Sequence, residues 1–223
     1  MKMKQTKNSN LNSNDNVMIT IIEYLLSKSN PKTTNKDIIE ANDDNIQDIV
    51  RSELSKLGPE ADLNHIDVSK VTNMDSVFRL RQFNGDISAW DVSNVLNMDY
   101  MFQGTLHFNC DLSNWDVSNV TSMTKMFSGN AEFEGKGLEN WKISQDIEYM
   151  DGMFWGCKKL KADLSNWDVK GKKIKRIDQM FSCCLSFECD LSSWEINKYA
   201  SRIEMFKLCP IAKKKKLQPK FIL

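Results

Sequence analysis

Residues Phe83–Phe102 read FNGDISAWDVSNVLNMDYMF, and residues Phe108–Phe127 read FNCDLSNWDVSNVTSMTKMF. Each stretch holds two aspartates, two serines and a tryptophan at the same spacing. They are either a chemical site present twice or a structural unit present many times. The rest of the chain settles the choice. Trp90, Trp115, Trp141, Trp167 and Trp194 recur at intervals of 25, 26, 26 and 27 residues. An upstream variant, LNHIDVSKVTNMDSVF, carries Ile66 in the tryptophan place. Five full units and one variant cover roughly residues 60–211. Self-similarity at such a period marks a stacked-repeat architecture.

The apolar positions of one unit are Phe83, Ile87, Trp90, Val92, Val95, Met98, Met101 and Phe102, and the next unit repeats them almost residue for residue. Trp90-x-Val92 alternates as a short strand with one buried face does. Val95, Met98, Met101 and Phe102 are spaced to suit a turn or two of α- or 3₁₀-helix. Ser93 or Asn94 stands where that helix needs an N-cap, as does Ser118 or Asn119. Each unit therefore reads as strand, turn, short helix and return loop. One unit alone buries too little apolar surface to offset the entropy of ordering its backbone, so units must stack. The expected fold is α/β, a solenoid of short parallel strands and short helices.

The flanks complete the plan. Residues 1–16 are polar and read as disordered. Residues 17–58 read as a helical N-terminal cap, with helical spacing over Val17–Ser27 and Lys36–Leu57 and a stop at Gly58-Pro59. Residues 59–211 are the repeats. Residues 212–223 read as a frayed basic tail. Lys+Arg and Asp+Glu are equal at 30 each, which removes any general push toward nucleic acid or an anionic membrane. No apolar run approaches the ~20 residues of a membrane span. Val17–Leu26 is short, contains Glu23 and lacks a cleavage site after it, so an intracellular location is expected, with secretion to the cell surface as the alternative.

The chain resembles the BspA-like (Treponema-type) leucine-rich repeats. The spacing Ile87-x-x-Trp90-x-Val92 matches their L-x-x-L-x-L core, and the continuation M-F-x-x-C at Met153–Cys157, Met180–Cys184 and Met205–Cys209 narrows the match. The nearest pattern is the W-D-V-S-N-V-T-x-M-x-x-M-F repeat of mycoplasma lipoproteins and other bacterial surface proteins. The resemblance implies a leucine-rich-repeat-like solenoid and a role in adhesion or host-protein binding.

Asp86, Asp111, Asp163 and Asp190 share one register; Asp67, Asp91, Asp116 and Asp168 share another. Such columns could hold calcium, but a feature present in nearly every unit is expected to close turns and cap helices. Cys157, Cys184 and Cys209 share a position, as do Cys110 and Cys189, with Cys183 extra. They lack C-x-x-C spacing and read as core filler. His65 and His107 belong to no catalytic pattern, and no phosphate loop occurs. Neither enzyme activity nor a metal or cofactor is expected. Lys213–Lys216 and Lys220 read as a solvated terminus.

What the repeat leaves free is the strand face, through which solenoids generally bind. Its outward positions are Ala89, Asp91, Ser93, Asn114, Asp116, Ser118, Asn140, Lys142, Asn166 and Asp168. Trp155 departs from the repeat and is a candidate aromatic anchor. The expected function is a non-enzymatic scaffold that binds a protein partner, with a surface adhesin as the alternative.

Overall fold

The computed structural model describes residues 37–170 and 173–222. The expected disordered start and the helix over Val17–Ser27 lie outside the described residues. The described residues from Ile38 onward form one compact unit.

Successive repeats pair side by side in parallel. Bridges link Asn73 to Asn97, Asn97 to Ser122, Ser122 to Tyr149, Tyr149 to Arg176 and Arg176 to Ser201. The ladder does not run where the alternating pattern places it. No strand forms at Trp90–Val92 or its internal equivalents; the pairing passes through the M-x-x-M-F segment, which is not helical either. There the N–H groups of Met98, Tyr100, Phe102 and Gly104 donate to the carbonyls of Ser122, Thr124, Met126 and Ser128. The intervening N–H groups of Met101 and Gln103 fold back onto Met98 and Tyr100. The three-residue methionine spacing is thus that of consecutive turns, each opened to the next unit before a helix can propagate.

This path needs left-handed backbone twice per unit. All eight non-glycine residues with positive φ among the described residues fall in two registers: Ser76, Tyr100, Lys125, Gln179 and Glu204 in one, and Leu80, Cys183 and Leu208 in the other. Gly152 completes the first, and Gly104, Gly129 and Gly156 complete the second. Left-handed backbone costs an L-residue roughly 1–2 kcal/mol. Each such residue in an internal unit donates its N–H to the neighbouring unit, which offsets the cost.

Side chains stack along the same axis. Phe102, Phe127, Phe154 and Phe181 form a column with ring centroids 5.6, 5.7 and 5.6 Å apart, extended by Phe78 and Phe206. Trp141, Trp167 and Trp194 stack at 6.1 and 6.0 Å. The tryptophans also carry hydrogen bonds between units. The indole N–H of Trp90, Trp115, Trp141, Trp167 and Trp194 donates to the carbonyl of Leu63, Ile87, Leu112, Leu138 and Leu164 respectively. Each of these carbonyls also accepts the N–H of the residue three positions on, so an aliphatic residue would fill the volume and leave the turn bond intact but lose the bond between units.

True strands occur at the two ends, where a cap supplies a partner. At the N-terminal end β1 (Ile39–Glu40) pairs in parallel with β2 (Ile66–Asp67). Helix α1 (Ile46–Leu57) then buries Ile46 and Val50 and stops at Gly58, whose φ is 86° and whose N–H returns to Leu54. The helix starts later than the sequence pattern suggests, because Ile39 belongs to β1. Four consecutive Asx residues, Asn42–Asn45, form the turn between them, with Asn45 Oδ1 accepting from Asn42 N–H. At the other end β3 (Glu195–Asn197) pairs with β4 (Lys220–Ile222). The segment expected to fray instead makes 3₁₀ turns over Pro210–Lys213 and Lys215–Leu217 and returns as β4, covering Ile211. One close approach fixes the first junction. A Cβ on Gly85 would stand 1.9 Å from the Ala61 carbonyl oxygen, so only glycine lets the second unit approach the first.

Candidate interaction surfaces

The aspartate columns close turns. Asp86, Asp111, Asp163 and Asp190 each accept the N–H of the serine two residues on. Asp67, Asp91, Asp116 and Asp168 do the same for Ser69, Ser93, Ser118 and Lys170. These carboxylates are engaged locally. The pKa of Asp111 falls to about 2, chiefly because Lys136 bonds its carboxylate, with Ser113 adding to the effect. Asparagines tie units together instead. Asn64, Asn84 and Asn109 accept the N–H of Ala89, Asn109 and Glu134 in the following unit.

The outward positions expected to meet a partner are arranged in register. Ala89, Asp91, Asn114, Asp116, Ser118, Asn140, Lys142, Asn166 and Asp168 are exposed, and Ser93 is partly so. Asn114 reaches back to the Ser88 carbonyl at 3.5 Å, and Asn119 to that of Ser93 at 2.8 Å. This flank is polar, and many of its groups already hold the backbone.

The run that carries the inter-unit bridges is chemically richer. Tyr100 lies between Arg79 and Lys125, whose charges stand 5.1 and 5.8 Å from its ring centre. Lys175 sits 5.5 Å from the ring of Tyr149. Arg176 reaches both Asp151, at 3.4 Å, and Asp178, at 3.5 Å. Asp99 is half-buried and accepts from Thr124 N–H and Ser122 Oγ. Burial pushes its carboxyl upward, and the charges of Asp75 and Asp151 add to this. These groups were not singled out in the sequence, because a helical reading of this segment does not put them on the paired run.

Trp155 is on this run, not on the flank beside the tryptophan column. Its side chain is 43% exposed, while the residues in its register on either side, Ser128 and Ser182, are buried. Gly129 and Gly156 lie beside this register, with a Cβ added to Gly156 only 3.7 Å from the Gly129 Cα. The indole therefore projects from surroundings that lack side-chain bulk.

The other candidates are structural. Cys157 and Cys184 are buried and donate S–H to the carbonyls of Phe127 and Phe154. Thr105 occupies the same register and donates to Phe78. Asn130, also in that register, is fully buried, and neither amide atom has a partner among the described residues. Burial raises the thiol of Cys110 to about 12 and those of Cys189 and Cys209 to about 11, which disfavours thiolate chemistry. Buried His65 contacts Glu53 of α1 at 3.1 Å and ties the cap to the first unit. His107 is exposed. Lys213–Lys216 and Lys220 are exposed, and Lys214 pairs with Glu188.

The model of one protein family, described as "Mycoplasma protein of unknown function, DUF285", matches residues 44–146 and 125–216. The chain belongs to this family. The matches overlap and span both the cap helix and the whole series of units. No curated protein and no solved structure matches the chain. Among the described residues no helix is long and apolar enough to cross a membrane.

Proposed function

We propose that this family member is a non-enzymatic scaffold, built as a BspA-like, leucine-rich-repeat-like solenoid with a helical N-terminal cap, that binds a protein partner. The polar flank from Ala89 to Asp168 is one seat available to it. The anchor is Trp155. The observation that carries this reading is a 43% exposed indole standing between buried serines and beside a glycine strip. Large aromatics with space around them are the side chains that dominate binding energy at protein interfaces. The flank is the weaker seat, because its aspartates already accept turn N–H groups.

Replacing Trp155 by alanine is expected to weaken capture of a partner from native-source extract by about 2 kcal/mol or more, roughly thirtyfold. The melting temperature should stay close to that of the unaltered protein, as at other surface positions. Full capture by the variant would refute the anchor. An intracellular site of action accompanies this reading. The second reading, a surface adhesin, rests on the repeat's resemblance to mycoplasma surface proteins, and N-terminal sequencing of the native protein separates the two, since secretion removes about the first 30 residues.

A further inference from the structure

Each unit presents the next with a row of backbone donors. At the last complete junction the N–H groups of Ile177, Gln179, Phe181 and Cys183 donate to the carbonyls of Ser201, Ile203, Met205 and Lys207 at 2.7–2.9 Å. The corresponding row one unit further on is Arg202, Glu204, Phe206 and Leu208. Its backbone repeats the geometry: φ is 52° at Glu204 and 56° at Leu208, against 55° at Gln179 and 61° at Cys183. The turn bonds from Met205 to Arg202 and from Lys207 to Glu204 are also present. The four N–H groups therefore point as their predecessors do, away from the preceding unit. None of them donates a hydrogen bond among the described residues.

The C-terminal segment closes the core but leaves this edge open. A cavity of about 330 Å³ lies between Arg202, Glu204 and Phe206 on one side and Ala212, Gln218 and Phe221 on the other. Phe206 is the last ring of the phenylalanine column and among the described residues stacks only on Phe181. Arg202 and Lys207 line this cavity, and the stretch of chain that bears the edge is basic. From Lys198 to Ile222 the chain carries eight lysines and arginines against one acidic residue, Glu204, which is already paired with Lys207.

A second copy of the chain is a poor fit for this edge. The matching acceptor row, at the opposite end, includes the Asp75 carbonyl, which takes a hydrogen bond from Gln47 of α1. The Val77 carbonyl is taken by Arg81. We infer that the open edge instead receives an acidic segment of another protein, wound into the same consecutive turns, as one further rung of the ladder. Alternate carbonyls of that segment accept from Arg202, Glu204, Phe206 and Leu208, an aromatic side chain continues the column over Phe206, and its carboxylates meet the surrounding lysines. This is strand addition at a sheet edge, carried out on a ladder of turns. It is independent of the Trp155 surface and stands or falls separately from it.

The test is amide hydrogen exchange by NMR on the full chain. The probe is a peptide with the sequence of Tyr149–Trp155, YMDGMFW, flanked by two glutamates on each side, since this segment fills the equivalent donor row within the protein. In the free protein the amides of Arg202, Glu204, Phe206 and Leu208 should exchange fast while those of Gln179, Phe181 and Cys183 are protected. Saturating peptide should slow the four by about tenfold or more. Lysine-flanked peptide should bind about tenfold more weakly. Ala212→Trp, which fills the cavity from an exposed position, should abolish the effect. Four amides already protected in the free protein, peptide binding that leaves them unchanged, or protection that rises with protein concentration alone would each overturn the inference.

Discussion

Asn130 offers the sharpest test of how the units are held together. Its register is occupied by Thr105, Cys157 and Cys184 in neighbouring units, and each of these donates to a phenylalanine carbonyl of the preceding unit. Asn130 is fully buried, yet among the described residues neither its Nδ2 nor its Oδ1 has a partner. A buried polar group without a hydrogen bond costs about 1–3 kcal/mol, and a recovered bond contributes about 0.5–1.5 kcal/mol. Asn130→Thr removes the bare amide, keeps a similar volume and supplies the hydroxyl that works at Thr105. The expected gain is therefore about 1–3 kcal/mol, equal to roughly 2–4 °C in melting temperature per kcal/mol for a chain of this size. The reciprocal variant, Cys157→Asn, should lose a comparable amount by putting a second amide into the same column. Both are read by urea denaturation followed at the tryptophans, with the m-value confirming that the transition itself is unchanged. Destabilisation by Asn130→Thr would refute the reasoning, since it would mean that the amide is satisfied and contributes to the fold.

Three further outcomes follow from the geometry. Trp115→Phe keeps an aromatic ring in the core but removes the bond between units to the Ile87 carbonyl, which keeps only the turn bond from Trp90 N–H, so it should cost about 0.5–1.5 kcal/mol in chemical denaturation; a loss near zero would show that the indole serves only as volume. Gly85→Ala forces a Cβ against the Ala61 carbonyl, so proteolysis should nick the junction between the first two units well before the rest, and equal resistance would contradict the close approach. Asp111 has a folded pKa of about 2, below the ~3.9 of an unfolded aspartate, so its contribution is present above about pH 4 and is lost as pH falls toward 2. Asp111→Asn should flatten the stability profile within that window only, and an unchanged slope there would rule out the Lys136 and Ser113 contacts as its cause.

Much of the core was legible in the residues alone. The apolar positions from Phe83 to Phe102 are buried as the repeat pattern implies, because an inward position must be apolar in every unit. Gly58 stops α1 as its place in the sequence suggests. The aspartates hold turns, which their recurrence favoured over a unique chemical site. What misled was the three-residue spacing of Val95, Met98 and Met101. Helical turns and consecutive tight turns give the same spacing, and the sequence does not separate them. The deciding feature, left-handed backbone at Tyr100 or Gln179, leaves no mark in residue type when the residue is not glycine. The paired run and the cation–π contacts of Tyr100 followed from that choice and stayed hidden with it.

Burial and spacing are written into residue type, so the repeat, its period, the inward residues of each unit and the oddity of Trp155 are visible in the residues alone. The folded path was needed to show which segment pairs with its neighbours and that the tail returns as β4. It also showed that the N–H groups of Arg202, Glu204, Phe206 and Leu208 meet no acceptor among the described residues. Backbone hydrogen bonds are made by groups every residue shares. Their partners are fixed by the path of the whole chain, and side chains report on that path only indirectly.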